Sequence, residues 1–236
     1  MLRMVGFNRF IRLEWLDKAV EIYSVERDES KSRQELKEYL RGELKSEKHA
    51  NNVLKVLMRT WVNVPDDCVE LRDRALSLYK SAGGNERIML HWCMLMLAYP
   101  IFVDIIKVVG RLLNLQDSFT LKMVKNRIYE IWGERSTVKY AVGKILGSMA
   151  QWGVLERQNK PGLYKRTASI KIEDTHFKHF FLECYLKAHN RPYVNYYEVN
   201  RLYEAFPFDI EFGICDFHKS DVLKLNRMGN ELVILL

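Results

Sequence analysis

The sequence predicts a mainly α protein in three parts: a helical N-terminal domain (residues 1–116), a winged helix-turn-helix (117–172) and a small α+β C-terminal segment (173–236). Three observations lead to this prediction. Apolar residues recur at helical spacing through the first half of the chain. Two amphipathic helices separated by a glycine then precede two short extended runs around a Pro-Gly turn. The last part is rich in aromatic residues and ends in a hairpin-like pattern.

Residues 1–116 are predicted to hold six helices with short connections, after a loose stretch over residues 1–12. Ser32 and Glu35 have the spacing of a capping box at the start of the second helix. The apolar run Ile88–Val103 is shorter than the roughly 18 residues of a spanning helix, so it is interpreted as a buried core helix and no membrane association is expected. The helices other than the second are predicted at Leu13–Tyr23, Glu47–Trp61, Asp67–Ser81, Arg87–Tyr99 and Ile101–Leu113.

The central part is predicted to begin with a helix over Thr120–Trp132 that ends at Gly133, where a left-handed residue commonly closes a helix. Ser136 is placed to cap the next helix, which runs to Trp152. One face of this second helix is an apolar stripe made of Val138, Ala141, Val142, Ile145, Leu146, Met149 and Trp152. The opposite face carries Lys139, Tyr140, Gly143, Lys144, Gly147 and Gln151. Such a stripe buries one side of a helix and leaves the other side free to bind.

A β-hairpin is predicted directly after this helix. Val154–Gln158 and Leu163–Thr167 flank the turn Asn159-Lys160-Pro161-Gly162. Proline followed by glycine favours a type II turn, because glycine supplies the positive φ at the second central position. A hairpin in this place is typical of the wing of a winged helix.

The net charge lies in the same segment. Residues 117–172 contain eleven Lys and Arg against four Asp and Glu, and the whole chain contains 37 against 30, which leaves 26 against 26 elsewhere. The segment therefore carries +7 and the rest of the chain is neutral. Basic charge confined to a helix-turn-helix and its hairpin indicates a protein that binds double-stranded DNA.

The predicted DNA-binding residues lie at the start of the second helix, which enters the major groove in helix-turn-helix proteins, and on the hairpin. On the helix they are Arg135, Ser136, Thr137, Lys139, Tyr140 and Lys144. On the hairpin they are Arg157, Asn159, Lys160, Tyr164, Lys165 and Arg166. The hairpin cations would hold phosphates, while Asn159 or Tyr164 would enter the minor groove. Gly143 and Gly147 allow either a close approach of DNA or a partner, or the packing of a neighbouring helix.

The C-terminal segment is predicted to pack on the winged helix. An aromatic helix is expected over His176–Asn190 and a second helix over Tyr196–Ala205. A strand is expected over Phe208–Ile214, and the runs Val222–Arg227 and Glu231–Leu236 flank a glycine as in a closing hairpin.

No cofactor, metal or catalytic motif is predicted. The sequence has no phosphate-binding loop, dinucleotide fingerprint, nucleophile elbow or zinc-protease motif. His176, His179 and Glu183 share a helix face but lack further ligands nearby, and His91 is expected to be a hydrogen-bonded core residue. The four cysteines form no C-x-x-C pair, which favours reduced thiols and a cytoplasmic location.

Several short stretches resemble the BrxA-like family of small helical accessory proteins in BREX phage-defence systems. They are Leu57–Trp61, Leu71–Leu76, Ala98–Asp104 and Ala150–Leu155. The resemblance covers roughly residues 13–170. It implies a helical, DNA-binding and non-enzymatic protein that acts beside a methyltransferase, an ATPase and a phosphatase-like protein.

Together these observations predict a non-enzymatic DNA-binding accessory protein of a prokaryotic phage-defence or DNA-transaction complex, with protein subunits bound through residues 1–116. Two alternatives stay open. A transcriptional regulator would use the same module, although the sequence shows no coiled coil to supply a dimer matched to two half-sites. An interaction scaffold would use its winged helix to bind protein.

Overall fold

A computed structural model describes residues 5–218, 220 and 222–236, and the protein is mainly helical with small sheets. The six helices predicted in the first half of the chain are present. They are α1 (Leu13–Glu26), α2 (Glu29–Glu43), α3 (Glu47–Trp61), α4 (Val69–Tyr79), α5 (Gly84–Ala98) and α6 (Pro100–Leu115). A short 3-10 turn, Asp66–Cys68, precedes α4. The central residues of α5 are buried on all sides, as its continuous apolar sequence requires.

Helix α2 begins one turn earlier than predicted, so the proposed capping box is wrong. Asp28 is the N-cap, and its carboxylate accepts a hydrogen bond from the Lys31 backbone N–H at 2.8 Å. Ser32 is therefore inside the helix and fully buried. Aspartate is as good an N-cap as serine, and Asp28 precedes Ser32 in the chain. The helix therefore begins at Glu29, and Ser32 is not needed as a cap.

The stretch before α1 is ordered from residue 5, contrary to the prediction of a loose end over residues 1–12; residues 1–4 lie outside the described chain. Val5, Phe7 and Ile11 are buried. The Ile11 backbone N–H donates to Ser148 Oγ at 2.8 Å, and the indole of Trp152 donates to the Ile11 carbonyl at 3.0 Å. We call residues 5–12 the N-terminal strap, because they connect the helical half of the protein to its central part.

The central part contains β1 (Ser118–Thr120), α7 (Leu121–Trp132), α8 (Ser136–Gln151), β2 (Leu155–Arg157) and β3 (Leu163–Arg166). The three strands form an antiparallel sheet in the order β1-β3-β2. Thr120 caps α7, and Gly133 follows it with φ +76°. Ser136 is not the cap of α8. Arg135 occupies that position without a capping side chain, and Ser136 is the first helical residue.

The C-terminal segment adds β4 (Ile170–Lys171), α9 (Thr175–Ala188), β5 (Tyr193–Asn195), α10 (Tyr196–Val199), β6 (Phe208–Asp209), α11 (Ile214–Phe217), β7 (Lys224–Met228) and β8 (Glu231–Leu235). Strands β7 and β8 form the predicted hairpin, and β5 pairs with the other side of β8. Strand β4 pairs in parallel with β6.

The chain between residues 196 and 214 is less regular than predicted. The expected helix over Tyr196–Ala205 is reduced to α10 and a 3-10 turn, and the expected strand shrinks to the two residues of β6. Asn200 explains this difference. Its side chain accepts from the Phe212 N–H at 2.8 Å and donates to the Phe212 carbonyl at 3.1 Å, so backbone groups that would join a longer strand bond to a side chain instead.

The three predicted parts share one core centred on Trp92 of α5. Its indole packs edge-on against Phe102 of α6, Trp152 after α8, and Phe206 and Phe208 of the C-terminal segment, with ring centroids 5.0 to 6.3 Å apart. Helix α9 packs on α4 and α5. The C-terminal segment therefore contacts the N-terminal helices extensively, whereas the sequence had placed it on residues 117–172.

Candidate nucleic-acid interface

The apolar stripe of α8 fixes which side of this helix faces outward. Every stripe residue is buried, including Trp152 at 5 % exposure, so the helix is amphipathic as predicted. Lys139, Tyr140 and Lys144 lie on the exposed side, with Tyr140 62 % exposed. A buried stripe of this kind holds the helix rigidly while its charged side meets solvent.

The start of α8 is open to solvent and basic. Ser136 and Thr137 are exposed, and the first backbone N–H groups of the helix have no capping side chain. Lys125 of α7 lies close enough to Lys139 for their charges to repel each other, and partial burial together with this repulsion lowers the pKa of Lys125. Free N–H groups and two neighbouring lysines at a positive helix end form a favourable place for an anion.

The N-terminal strap brings a further cation to the side of α8. Partial burial lowers the pKa of His49 at the start of α3, and the charges of Arg9 and Lys144 lower it further. These two cations come from distant parts of the chain and lie near the same histidine. The sequence prediction missed Arg9, because nothing in residues 1–12 indicates that they pack on α8.

The two glycines of α8, Gly143 and Gly147, differ in how much space surrounds them. A Cβ atom at Gly147 would lie 3.1 Å from Arg157 Nη2 and 3.5 Å from the Phe10 ring, so this glycine makes room for the chain's own strap and hairpin. A Cβ atom at Gly143 would meet nothing within 4 Å. No neighbour in the described chain therefore explains Gly143, which lies beside Lys139 and Lys144.

The hairpin has the predicted turn. Gly162 has φ +77°, and the Leu163 N–H donates to the Lys160 carbonyl at 3.1 Å, as in a type II turn with proline in the first central position. The Leu121 N–H donates to the Gly162 carbonyl at 2.7 Å and fixes the turn beside the start of α7. Asn159 and Lys160 are exposed at the tip.

Three of the predicted hairpin residues have other neighbours than expected. Tyr164 is buried and stacks on Phe119 of β1 with ring centroids 5.7 Å apart, so it cannot enter a minor groove. Arg166 is exposed but lies over the Phe206 ring, 5.9 Å from its centroid, on the side of the C-terminal segment. Lys165 is exposed and stands opposite Glu156 across the sheet.

The cations of this surface differ from those of the first helices in their ion pairing. Within the described residues, no carboxylate lies within 4.0 Å of a set of six exposed side chains. These are Lys139, Lys144, Arg157, Lys160, Lys165 and Arg166. On α2, by contrast, Arg33 bonds Glu29 at 3.2 Å, and Arg41 bonds Glu47 at 2.8 Å.

Of the side chains considered as metal ligands in the sequence, His179, Glu183 and His91 make packing contacts, ion pairs or hydrogen bonds within the protein. His179 stacks on Phe217, and both oxygens of Glu183 bind the guanidinium of Arg74 at 2.5 and 2.6 Å. A cavity of about 640 Å³ is lined by His176, His179, Glu183 and Arg74, among others, but the described residues contain no group of three His, Cys, Asp or Glu arranged to hold a metal ion. His91 is buried and hydrogen-bonded, as predicted.

Comparisons with known protein families, with curated proteins and with solved structures give no match for this chain. Among the described residues, every helix is too short or too polar to cross a membrane.

Proposed function

We propose that residues 117–172 form a winged helix-turn-helix that binds double-stranded DNA, with α8 in the major groove and the β2–β3 turn along the neighbouring backbone. The order of elements supports this proposal. Helix α6, strand β1, helices α7 and α8, and strands β2 and β3 follow one another, and β1 pairs with β3. The outward side of the second helix is the one that reaches DNA in helix-turn-helix proteins.

The observation that carries the proposal is the set of exposed cations without carboxylate partners around α8. A surface cation that already forms an ion pair contributes little net free energy to phosphate binding, because its contact with the carboxylate must first be broken. Lys139, Lys144 and Lys160 have no such partner among the described residues, so phosphates can neutralise them and release the counterions condensed on DNA.

We further propose that the protein is a non-enzymatic accessory subunit of a prokaryotic phage-defence or DNA-transaction complex. This follows from the resemblance of residues 13–170 to BrxA-like proteins. The helices of residues 1–116, in which 19 Lys and Arg are nearly balanced by 16 Asp and Glu, are the surface that we propose for the protein subunits of such a complex. Duplex DNA is the ligand of the central part, and the proposal requires no cofactor.

A second candidate function is a scaffold whose winged helix binds protein. Two exposed apolar residues favour it: Ile131 near the end of α7 is 51 % exposed, and Tyr140 on α8 is 62 % exposed. An acidic protein would use the same cations. Binding of such a protein would depend on Ile131 and Tyr140, whereas binding of DNA would depend mainly on the cations.

The experiment compares two double charge reversals by fluorescence anisotropy on a labelled duplex of about 12 base pairs, just over one helical turn. Lys139→Glu with Lys144→Glu places repulsion next to phosphate and is expected to weaken binding by roughly a hundredfold. Lys37→Glu with Arg41→Glu has the same change in charge but replaces cations that pair with Glu47, and binding is expected to stay nearly unchanged. All four side chains are on the surface, so far-ultraviolet circular dichroism should match the wild type.

Equal binding by the two double variants would overturn the DNA proposal. If DNA binding is absent and the Ile131→Ser, Tyr140→Ser variant loses an acidic protein partner, the scaffold function is the better one.

A further inference from the structure

Helix α3, which lies outside the proposed winged helix, carries a row of three basic residues and one asparagine. Lys48, Asn52, Lys55 and Arg59 follow at intervals of three and four residues, which places them along one face of the helix. Lys48, Lys55 and Arg59 are exposed, and no acidic residue interrupts the row. We call these four residues the α3 row.

The lysines of the α3 row differ from neighbouring cations in having no ion pair. Within the described chain, no carboxylate lies within 4.0 Å of Lys48 or Lys55, whereas Lys37 and Arg41 of α2 share Glu47. Arg59 is held in place by a hydrogen bond to the Ala98 carbonyl at 3.1 Å and by the Tyr99 ring, 5.5 Å below its guanidinium. The row therefore keeps its charge available on a rigid helix.

The N-terminal strap connects the α3 row to α8. At one end, Phe7 packs on Tyr99 at 5.3 Å, next to Arg59, and a Cβ atom at Gly6 would touch the same tyrosine. At the other end, Ile11 bonds Ser148 of α8. Arg9 lies between these two ends.

His49 shows that the two surfaces meet. It lies on α3. Partial burial lowers the pKa of His49 most, and the charges of Arg9 and Lys144 lower the same pKa further. Arg9 of the strap and Lys144 of α8 therefore lie near the same residue of α3. These two cations come from segments that are far apart in sequence, and only Lys144 was among the predicted DNA-binding residues.

We propose that the α3 row and Arg9 bind the phosphate backbone of the same DNA duplex beyond the α8 site, so that the DNA footprint is longer than the winged helix alone requires. This inference rests on the proposed function. From Lys48 to Arg59 the helix rises by about 17 Å, which matches about five base pairs of backbone at 3.4 Å each. A straight row of unpaired cations suits a rigid rod of phosphates better than a compact anion.

The test measures the salt dependence of binding to duplexes of about 12 and about 24 base pairs, the shorter being just over one helical turn. The variant is Lys48→Ala with Lys55→Ala. Each phosphate contact makes the slope of log K against log salt more negative by about 0.9. On the long duplex, the slope of the variant should therefore be less negative than that of the wild type by about two. On the short duplex its slope should equal that of the wild type.

The matched control is Lys31→Ala with Arg33→Ala on α2. It removes the same charge from exposed cations that pair with Glu26 and Glu29. Its slopes should equal those of the wild type on both duplexes. Alanine is favourable in exposed helix positions, so both variants should keep the wild-type circular dichroism.

The inference is overturned if the α3 variant and the control have the same slope on the long duplex while the Lys139→Glu, Lys144→Glu variant loses binding. In that case the proposed function stands without the longer footprint. If the wild type binds neither duplex, the proposed function fails, and the inference fails with it. If the slope on the long duplex becomes less negative for the α3 variant and not for the control, the result supports both the proposed function and the longer footprint.

Discussion

At the scale of single residues, Trp152 connects α8 to two other parts of the chain. Its ring packs on Trp92 and Phe102, and its indole N–H donates to the Ile11 carbonyl at 3.0 Å. The sequence predicted Trp152 as the last residue of the apolar stripe of α8; the structure shows that it joins α8 to the N-terminal helices and the strap. We therefore expect its loss to affect the whole protein.

Trp152→Ala should lower the free energy of unfolding by about 3–5 kcal/mol, because it leaves a large cavity in a well-packed core. Trp152→Phe keeps most of the ring contacts but leaves the Ile11 carbonyl without its donor, and should cost about 1–3 kcal/mol. Urea unfolding measures both values. Equal stability of Trp152→Ala and the wild type would show that this tryptophan is not in the core.

His91 is part of a buried hydrogen-bonded group. The Trp61 indole donates to His91 Nδ1 at 3.1 Å, and His91 Nε2 lies 3.0 Å from Asp17 Oδ1, which also accepts from the Tyr79 hydroxyl. These contacts fit a neutral ring with its proton on Nε2. Burial lowers the pKa of His91, although the hydrogen bond and charge of Asp17 oppose this.

The lowered pKa of His91 predicts a loss of stability at mildly acidic pH. Below about pH 6.5 the unfolded chain gains a proton on this histidine that the folded protein does not, so the free energy of unfolding should fall by up to about 1.4 kcal/mol per pH unit. His91→Gln can form both hydrogen bonds but does not titrate. Between pH 7.5 and 5.5, urea unfolding should therefore give this variant a flatter pH dependence than the wild type.

Equal pH dependence of the two proteins would contradict this account of His91. Asp17 does not interfere with the comparison. Burial raises the pKa of Asp17, but the hydrogen bonds from His91 and Tyr79 and the charge of Arg87 lower it overall. Its contribution to stability is present above the unfolded pKa of about 4 and is lost only at lower pH, outside the measured range.

At the scale of elements, α8 contains a glycine that nothing in the described structure requires. Gly143→Ala adds a methyl group to open space in a helix interior, so it should raise the free energy of unfolding by about 0.5–1 kcal/mol in urea. Gly147→Ala is the control, because its Cβ atom would press on Arg157 and Phe10. A Gly143→Ala variant that is less stable than the wild type would show that the site is not open.

Helices could be predicted from the sequence where one apolar stripe decides both their existence and their orientation. Helix α3 has the predicted bounds, and the stripe of α8 is buried as expected. Strand β1 could not be predicted, because Ser118-Phe119-Thr120 has a single apolar residue and gains its order from pairing with β3. Ser32 failed as a cap because Asp28 starts the helix four residues earlier, so that Ser32 lies inside it.

The candidate site was predictable only in part. The charge count led to α8 and the hairpin, and most of the predicted cations are exposed there. The burial of Tyr164 follows from Phe119 of β1, so it could not be foreseen without that strand. Arg9 and Lys125 depend on contacts between distant segments, for which the sequence has no local pattern.

At the scale of the whole molecule, one core joins the helical half, the central part and the C-terminal segment. Trp92 contacts side chains from each of them, and the strap crosses from Tyr99 to α8. The basic surface is therefore set on a rigid body. This arrangement explains how paired and unpaired cations can be kept apart: Arg33 and Arg41 of α2 pair with Glu29 and Glu47, while the six exposed cations around α8 have no carboxylate partner among the described residues.

The salt dependence of duplex binding by the full chain tests the central claim most directly. If the surface around α8 neutralises about four to six phosphates, log K against log salt should have a slope of roughly −4 to −5 on a duplex of about 12 base pairs. Lys160→Ala at the hairpin tip should reduce the slope by about one. Lys31→Ala, which removes a cation paired with Glu26, should leave it unchanged. A flat salt dependence for the wild type, or equal slopes for Lys160→Ala and the wild type, would contradict the account.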